Sequence, residues 1–178
     1  MTGYSPIDER ELEQLAFAYG QPEMRTIEIE GDEYLFSSRL SRSRDRRGEV
    51  VLAIERPRNC VLLHHKGWYE PDVFRLLSGG IDWDEPVEGT LERELEEETG
   101  LSLGTTHFLG VLDCHIHYAA RELSFVSYVF YLTSTQGVLT IPHSSEDITE
   151  FRDIPMVELP PVAENLRHVP PRRTGWGR

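Results

Sequence analysis

The stretch SGGIDWDEPVEGTLERELEEETGL, residues 78–101, decides how this chain reads. Pro86 suits the first turn of a helix and Gly100 suits its end, so the spacing predicts a helix over Pro86–Thr99. Gly79-Gly80 reads as a flexible turn after a strand. At roughly 100° per residue, Val87, Leu91 and Leu95 form one apolar stripe. Glu92 and Glu96 point away from it. Glu94 and Glu97 line one flank, and Glu98 falls inside the apolar stripe itself. A solvated acidic face does not aim a carboxylate at the core, because an unpaired buried carboxylate costs several kcal/mol.

The charge around this helix is lopsided. Between Gly79 and Leu101 there are nine acidic residues and one basic residue, in a chain whose formal net charge is −13. Arg93 alone does not neutralise the glutamates beside it, so an ordered acidic block of this kind calls for a counter-ion. Carboxylates clustered on one helix face match Mg²⁺, a hard cation that takes oxygen ligands; zinc prefers His and Cys, which the cluster lacks. The overall acidity argues against tight non-specific binding to DNA, which depends on neutralising phosphates.

Outside this segment the chain reads as one domain of ordinary composition, 39% hydrophobic and 28% charged over 178 residues. No apolar run approaches the ~20 residues that span a bilayer, and the polar start does not resemble a signal peptide. Two cysteines, Cys60 and Cys114, make no disulfide framework, so a cytoplasmic setting is expected.

Residues 5–19 read as a helix capped by Ser5, with Pro6 at its first position. Strands are expected at Arg25–Glu30 and Glu33–Ser37, joined as a hairpin through Gly31-Asp32. The arginine-rich stretch Ser38–Arg47 reads as an exposed loop, since no glycine-rich phosphate cradle accompanies it. Further strands are expected at Glu49–Glu55, Cys60–His65, Val73–Leu77, Thr106–His117, Leu123–Thr133 and Ile148–Ile154. A short helix over Val162–His168 follows. The domain plan is an N-terminal helix and hairpin extension over residues 1–45, a main domain over 46–169 that contains the acidic helix, and a frayed tail over 170–178. Strands on both sides of a central helix indicate an α/β or α+β layered fold. His64, His65, His115 and His117 read as strand residues rather than metal ligands.

The 79–101 segment resembles the Nudix box, G-x5-E-x7-R-E-U-x-E-E-x-G-U, where U is a bulky apolar residue. Gly79, Glu85, Arg93, Glu94, Leu95, Glu97, Glu98, Gly100 and Leu101 occupy every specified position. Asp84 stands where many members have glycine. The resemblance implies a mixed β-sheet sandwiched between α-helices and a hydrolase that cleaves a pyrophosphate bond in a nucleoside diphosphate linked to another moiety. It implies Glu94, Glu97 and Glu98 as ligands of Mg²⁺, with Mn²⁺ as a substitute, and Glu98, Glu97 or the loop residue Glu146 as general base. Glu150 is a further candidate ligand. Gly79, Gly80, Glu85, Arg93 and Gly100 support the box.

Arg75 and Tyr118 are candidate substrate contacts, and Trp68 and Tyr69 offer faces for a base. Members acting on dinucleoside polyphosphates often carry a tyrosine some way beyond the box, as Tyr118 is here. No proline lies between Pro86 and Pro142, which leans against ADP-ribose. The expected partner is a small nucleotide or diphosphate, and the N-terminal segment leaves room for a homodimer. Two alternatives share the fold. An isoprenoid diphosphate isomerase needs a catalytic cysteine context that neither Cys60 nor Cys114 offers. A non-catalytic nucleotide-sensing module tends to lose box glutamates, and all are present.

Overall fold

Helix α1 (Glu9–Tyr19) opens the computed structural model, which describes residues 7–141 and 147–166. Asp8 caps this helix by accepting from the backbone N–H groups of Arg10 and Glu11. The helix therefore starts later than a Ser5 cap implies; Ser5 and Pro6 lie outside the described residues. Strand β1 (Glu23–Glu30) follows, then helix α2 (Glu33–Asp45).

The hairpin expected across Gly31-Asp32 does not form. Asp32 instead begins a helix: its side chain accepts from Leu35 N–H at 2.7 Å and its carbonyl from Phe36 N–H at 3.0 Å. Burial of Phe36 against the sheet anchors α2, which also takes in most of the stretch read as an arginine-rich loop.

The remaining strands are β2 (Arg46–Arg56), β3 (Cys60–Lys66), β4 (Leu77–Asp82), β5 (Leu101–Ser102), β6 (Thr105–Tyr118), β7 (Arg121–Thr133), β8 (Gln136–Gly137) and β9 (Ile148–Pro155). Helix α3 (Val87–Thr99) lies between β4 and β5, and α4 (Leu159–Leu166) ends the described chain. Of the segment read as a strand over Val73–Leu77, only an isolated bridge between His64 and Arg75 precedes β4. Arg167 and His168, expected in the last helix, and the tail from Pro170 lie outside the described residues.

The main sheet runs β1-β6-β7-β2-β3-β9, with β4 also paired to β2. It is mixed: β1 with β6 and β2 with β7 are parallel, and the other pairs are antiparallel. Strand β2 forks the sheet. Its residues Arg46–Leu52 pair with β4, while Glu55 and Arg56 pair with β3. Alternation along β2 and β7 sends Val50, Leu52, Ile54, Val126, Tyr128, Phe130 and Leu132 to one face, where they bury together with Val87, Leu91 and Leu95 of α3 and Leu15 of α1. The opposite face carries α2, through Arg39 stacked on Phe125, and α4, whose Leu159 and Val162 pack on Val61, Leu63 and Phe74. The sheet is thus sandwiched between helices, as expected. Residues before Arg46 add an edge strand and part of this core. Among the described residues, no helix is long and apolar enough to cross a membrane.

Candidate active site

Helix α3 lies on the sheet by the stripe its spacing predicts: Val87, Leu91 and Leu95 are fully buried. Pro86 sits one position earlier than expected, as the N-cap. At the other end Gly100 takes a left-handed conformation at φ 73°, which a glycine adopts without the steric cost of a Cβ, and its N–H reaches the Glu96 carbonyl. The inward turn of Glu98 is real: it is 1% exposed, and Glu94 is 9% exposed, while Glu97 stands mostly in solvent.

Gly79 and Gly80 lie within β4 rather than in a turn. Their value is close approach. A Cβ on Gly79 would overlap Cγ and Cδ of Glu94, and a Cβ on Gly80 would overlap the Arg46 side chain. The bare strand backbone lets the α3 carboxylate lie directly against the sheet.

Arg93 is the hub of the box. Its Nε and Nη2 fork onto Glu85 at 2.8 and 2.9 Å, and Nη2 also donates to the Gly80 carbonyl at 3.2 Å. Nη1 donates to Glu94 at 2.6 Å and to Glu97 at 3.2 Å. This two-pronged charge-assisted contact is the strong form of an arginine–carboxylate pair. Hydrogen bonding from Arg93 holds the Glu85 carboxyl down to about 2, from an ordinary 4.5, against the opposing effect of burial. The same bond pushes Arg93 further up.

A depressed carboxyl stabilises the fold above its unfolded-state pKa and loses that contribution as pH falls through its folded value. The stability difference between wild type and Glu85→Gln is therefore expected to be level above about pH 4.5 and to shrink toward pH 2. Urea unfolding at pH 7, 4 and 2.5 measures it; a difference that stays constant down to pH 2.5 contradicts the pairing.

Glu98 meets a partner the sequence reading missed. Lys66, at the end of β3 and 8% exposed, brings Nζ to 3.5 Å from Glu98 Oε1. The signal was available: on a strand, Leu62, His64 and Lys66 share one face, and Leu62 is core. An inward lysine requires a counter-charge. Among the described residues no group of three or more Asp, Glu, His or Cys side chains is arranged to hold a metal ion. The reason is visible in the pairs above: Glu94 and Glu97 turn to Arg93, and Glu98 to Lys66. In chemical type the donors, all carboxylate oxygens at i, i+3 and i+4, fit a hard divalent cation.

Other expected site residues are scattered. Arg75 is exposed, with its guanidinium 5.0 Å from the Tyr69 ring, and Tyr69 reaches His64 at 3.2 Å; this group borders the end of β3 that carries Lys66. Glu150 pairs in register with His65, on the face opposite the one His64 and Phe151 share, and bonds to Arg152 at 2.9 Å. Tyr118 ends β6 and packs on Phe36 of α2, away from the box. Glu146 lies outside the described residues. His115 and His117 hydrogen-bond to carboxylates, His115 to Asp113 and Glu122, and His117 to Glu28, and these bonds raise both imidazoles above their ordinary value.

The NUDIX domain family matches residues 43–173, most of the chain. This chain belongs to the Nudix hydrolase superfamily. The NAD-capped RNA hydrolase NudC of Haemophilus influenzae is 29% identical over 127 residues, covering 67% of this chain and 46% of that protein. The chain therefore spans about half the length of the curated relatives it matches. Solved structures share the fold, and two of them serve as examples. The MutT protein from Bacillus halodurans superimposes with a TM-score of 0.52 at 19% identity, covering 64% of this chain and 71% of that one. An ADP compounds hydrolase does so at 0.50 and 18%, covering 66% and 61%.

Proposed function

We propose that this protein hydrolyses a pyrophosphate bond in a nucleoside diphosphate linked to another moiety, such as a dinucleoside polyphosphate, an NDP-sugar or a related compound. One observation carries the reading: a glutamate on an apolar helix stripe, Glu98, is buried beside Glu94 and Glu97 in a helix whose every box position is filled. Membership of the superfamily, whose members generally use a divalent metal, and similarity to a relative that hydrolyses a capped RNA support it.

Glu94, Glu97 and Glu98 would hold a divalent cation, Mg²⁺ with Mn²⁺ as a substitute. When bound there, the ion would supply positive charge against the phosphate oxygens. Glu98 or Glu97 takes the proton of the attacking water; Glu146 is the rival base in the loop before β9. Arg93 orients Glu94 and Glu97 from behind, and Glu85 fixes Arg93. Lys66 balances Glu98 when no other cation does. Arg75, whose guanidinium lies over Tyr69, would meet a phosphate, and Tyr69 and Trp68 an aromatic base, at the Lys66 end of β3. The acidic charge favours a small nucleotide over DNA as partner. The free thiols of Cys60 and Cys114 support a reducing, cytoplasmic setting.

The test is a panel of NDP-sugars, dinucleoside polyphosphates, ADP-ribose, NADH and nucleoside triphosphates with Mg²⁺ or Mn²⁺. Cleavage between phosphates in at least one diphosphate-linked compound is expected. Absence of any phosphate-bond cleavage points instead to a nucleotide-sensing module.

A further inference from the structure

The box helix has a weakness at its start. The first N–H groups of any helix lack partners within it, and the N-cap position usually supplies a side-chain acceptor. Here that position is Pro86, which supplies none. The acceptor comes instead from α1. Glu11 Oε1 accepts from Val87 N–H at 2.7 Å, from 76 residues away in the chain. A carboxylate at this end also complements the helix dipole.

Glu11 is itself clamped. Arg47 forks onto it at 2.8 and 2.9 Å, and the two side chains are 17% and 11% exposed. The same guanidinium donates to the Glu85 carbonyl at 2.8 Å. Glu85 in turn holds Arg93, and Arg93 holds Glu94 and Glu97. An unbroken series of short contacts thus runs from α1 to the candidate metal ligands. Glu11 lies outside the matched family region, residues 43–173, whereas Arg47 lies within it.

We propose that Glu11, braced by Arg47, is a positioning residue for the box: the N-terminal helix caps α3 and sets the loop that carries Glu85. This rests on the proposed function only for its consequence in catalysis. The capping is a property of the folded chain.

The test uses full-length Glu11→Ala and Glu11→Gln, with Tyr19→Phe as control. Tyr19 ties α1 to α3 through a hydrogen bond to Glu88, whereas the Val87 N–H is held by Glu11. The first readout is amide hydrogen exchange. In Glu11→Ala, exchange at Val87–Thr90 is expected to rise by roughly 5- to 30-fold, the factor a lost cap costs, while β7 amides stay unchanged. The second readout, on any substrate the panel shows to be cleaved, is a fall in kcat of about tenfold or more with KM within about threefold. Glu11→Gln, which keeps the acceptor, recovers most of that loss, and Tyr19→Phe shows none of it.

Unchanged exchange at Val87–Thr90 overturns the cap. Normal kcat in Glu11→Ala, or an equal loss in Tyr19→Phe, overturns the positioning role. A wild-type protein that cleaves nothing defeats the proposed function, while the exchange result still decides the cap. Should Glu11→Ala fail to fold, Glu11→Gln with Arg47→Met carries both readouts: Arg47→Met is expected to reproduce the loss and Glu11→Gln to spare it.

Discussion

Glu98→Gln is expected to lower turnover by about 10³-fold, within the ~10²–10⁴ range that a positioned proton-transfer group contributes. The amide has nearly the shape of the carboxylate, so the packing of a residue that is 1% exposed survives. What disappears is the charge. Lys66, 3.5 Å away and also buried, then faces a neutral group. Removing one member of a buried ion pair costs roughly 3 kcal/mol or more, so the melting temperature should fall as well. The two effects separate in a double variant. Lys66→Met with Glu98→Gln removes the cation as well and is expected to recover part of the lost stability without recovering turnover. Turnover within tenfold of wild type in Glu98→Gln would sink the role proposed for this residue.

Gly79→Ala should be nearly as damaging through a single methyl. That methyl has no space, because the Glu94 side chain crosses it, and Glu94 is held in place by Arg93 at 2.6 Å. Either the strand shifts or Glu94 moves off the sheet. Overpacking of this kind costs about 1–3 kcal/mol, and a displacement of about 1 Å at a catalytic group is enough for a ~10²-fold loss. At the neighbouring Gly80 the atoms nearest an added methyl all belong to the exposed Arg46 side chain rather than to a buried one, so the loss of stability in Gly80→Ala should be smaller. Paired kinetics and urea unfolding check this contrast; equal stability loss in the two variants would show that Glu94 does not press on Gly79.

The residues of α3 were legible because helix periodicity is local. A ~100° rotation per residue is enough to place Glu98 among Val87, Leu91 and Leu95, and the burial follows. Gly79-Gly80 misled for the converse reason. A glycine pair usually marks a turn, but here it leaves space for a side chain that comes from another element, and nothing within four residues announces that neighbour. The stretch Glu33–Asp45 misled in a third way: rich in serine and arginine, it has little intrinsic amphipathy, and it becomes a helix through the Asp32 cap and the burial of Phe36 against the sheet.

The sequence by itself determined the acidic helix, its inward glutamate, the box spacing and the layered class of fold, since each depends on residues a turn or a strand apart. Tertiary structure alone decided the partners: Lys66 for Glu98 across 32 residues, and Glu11 for Val87 across 76. Such pairings come from the path of the chain through the sheet. Burial then makes them obligatory, because a charge or a helix N–H withdrawn from water must find its complement wherever the fold brings one.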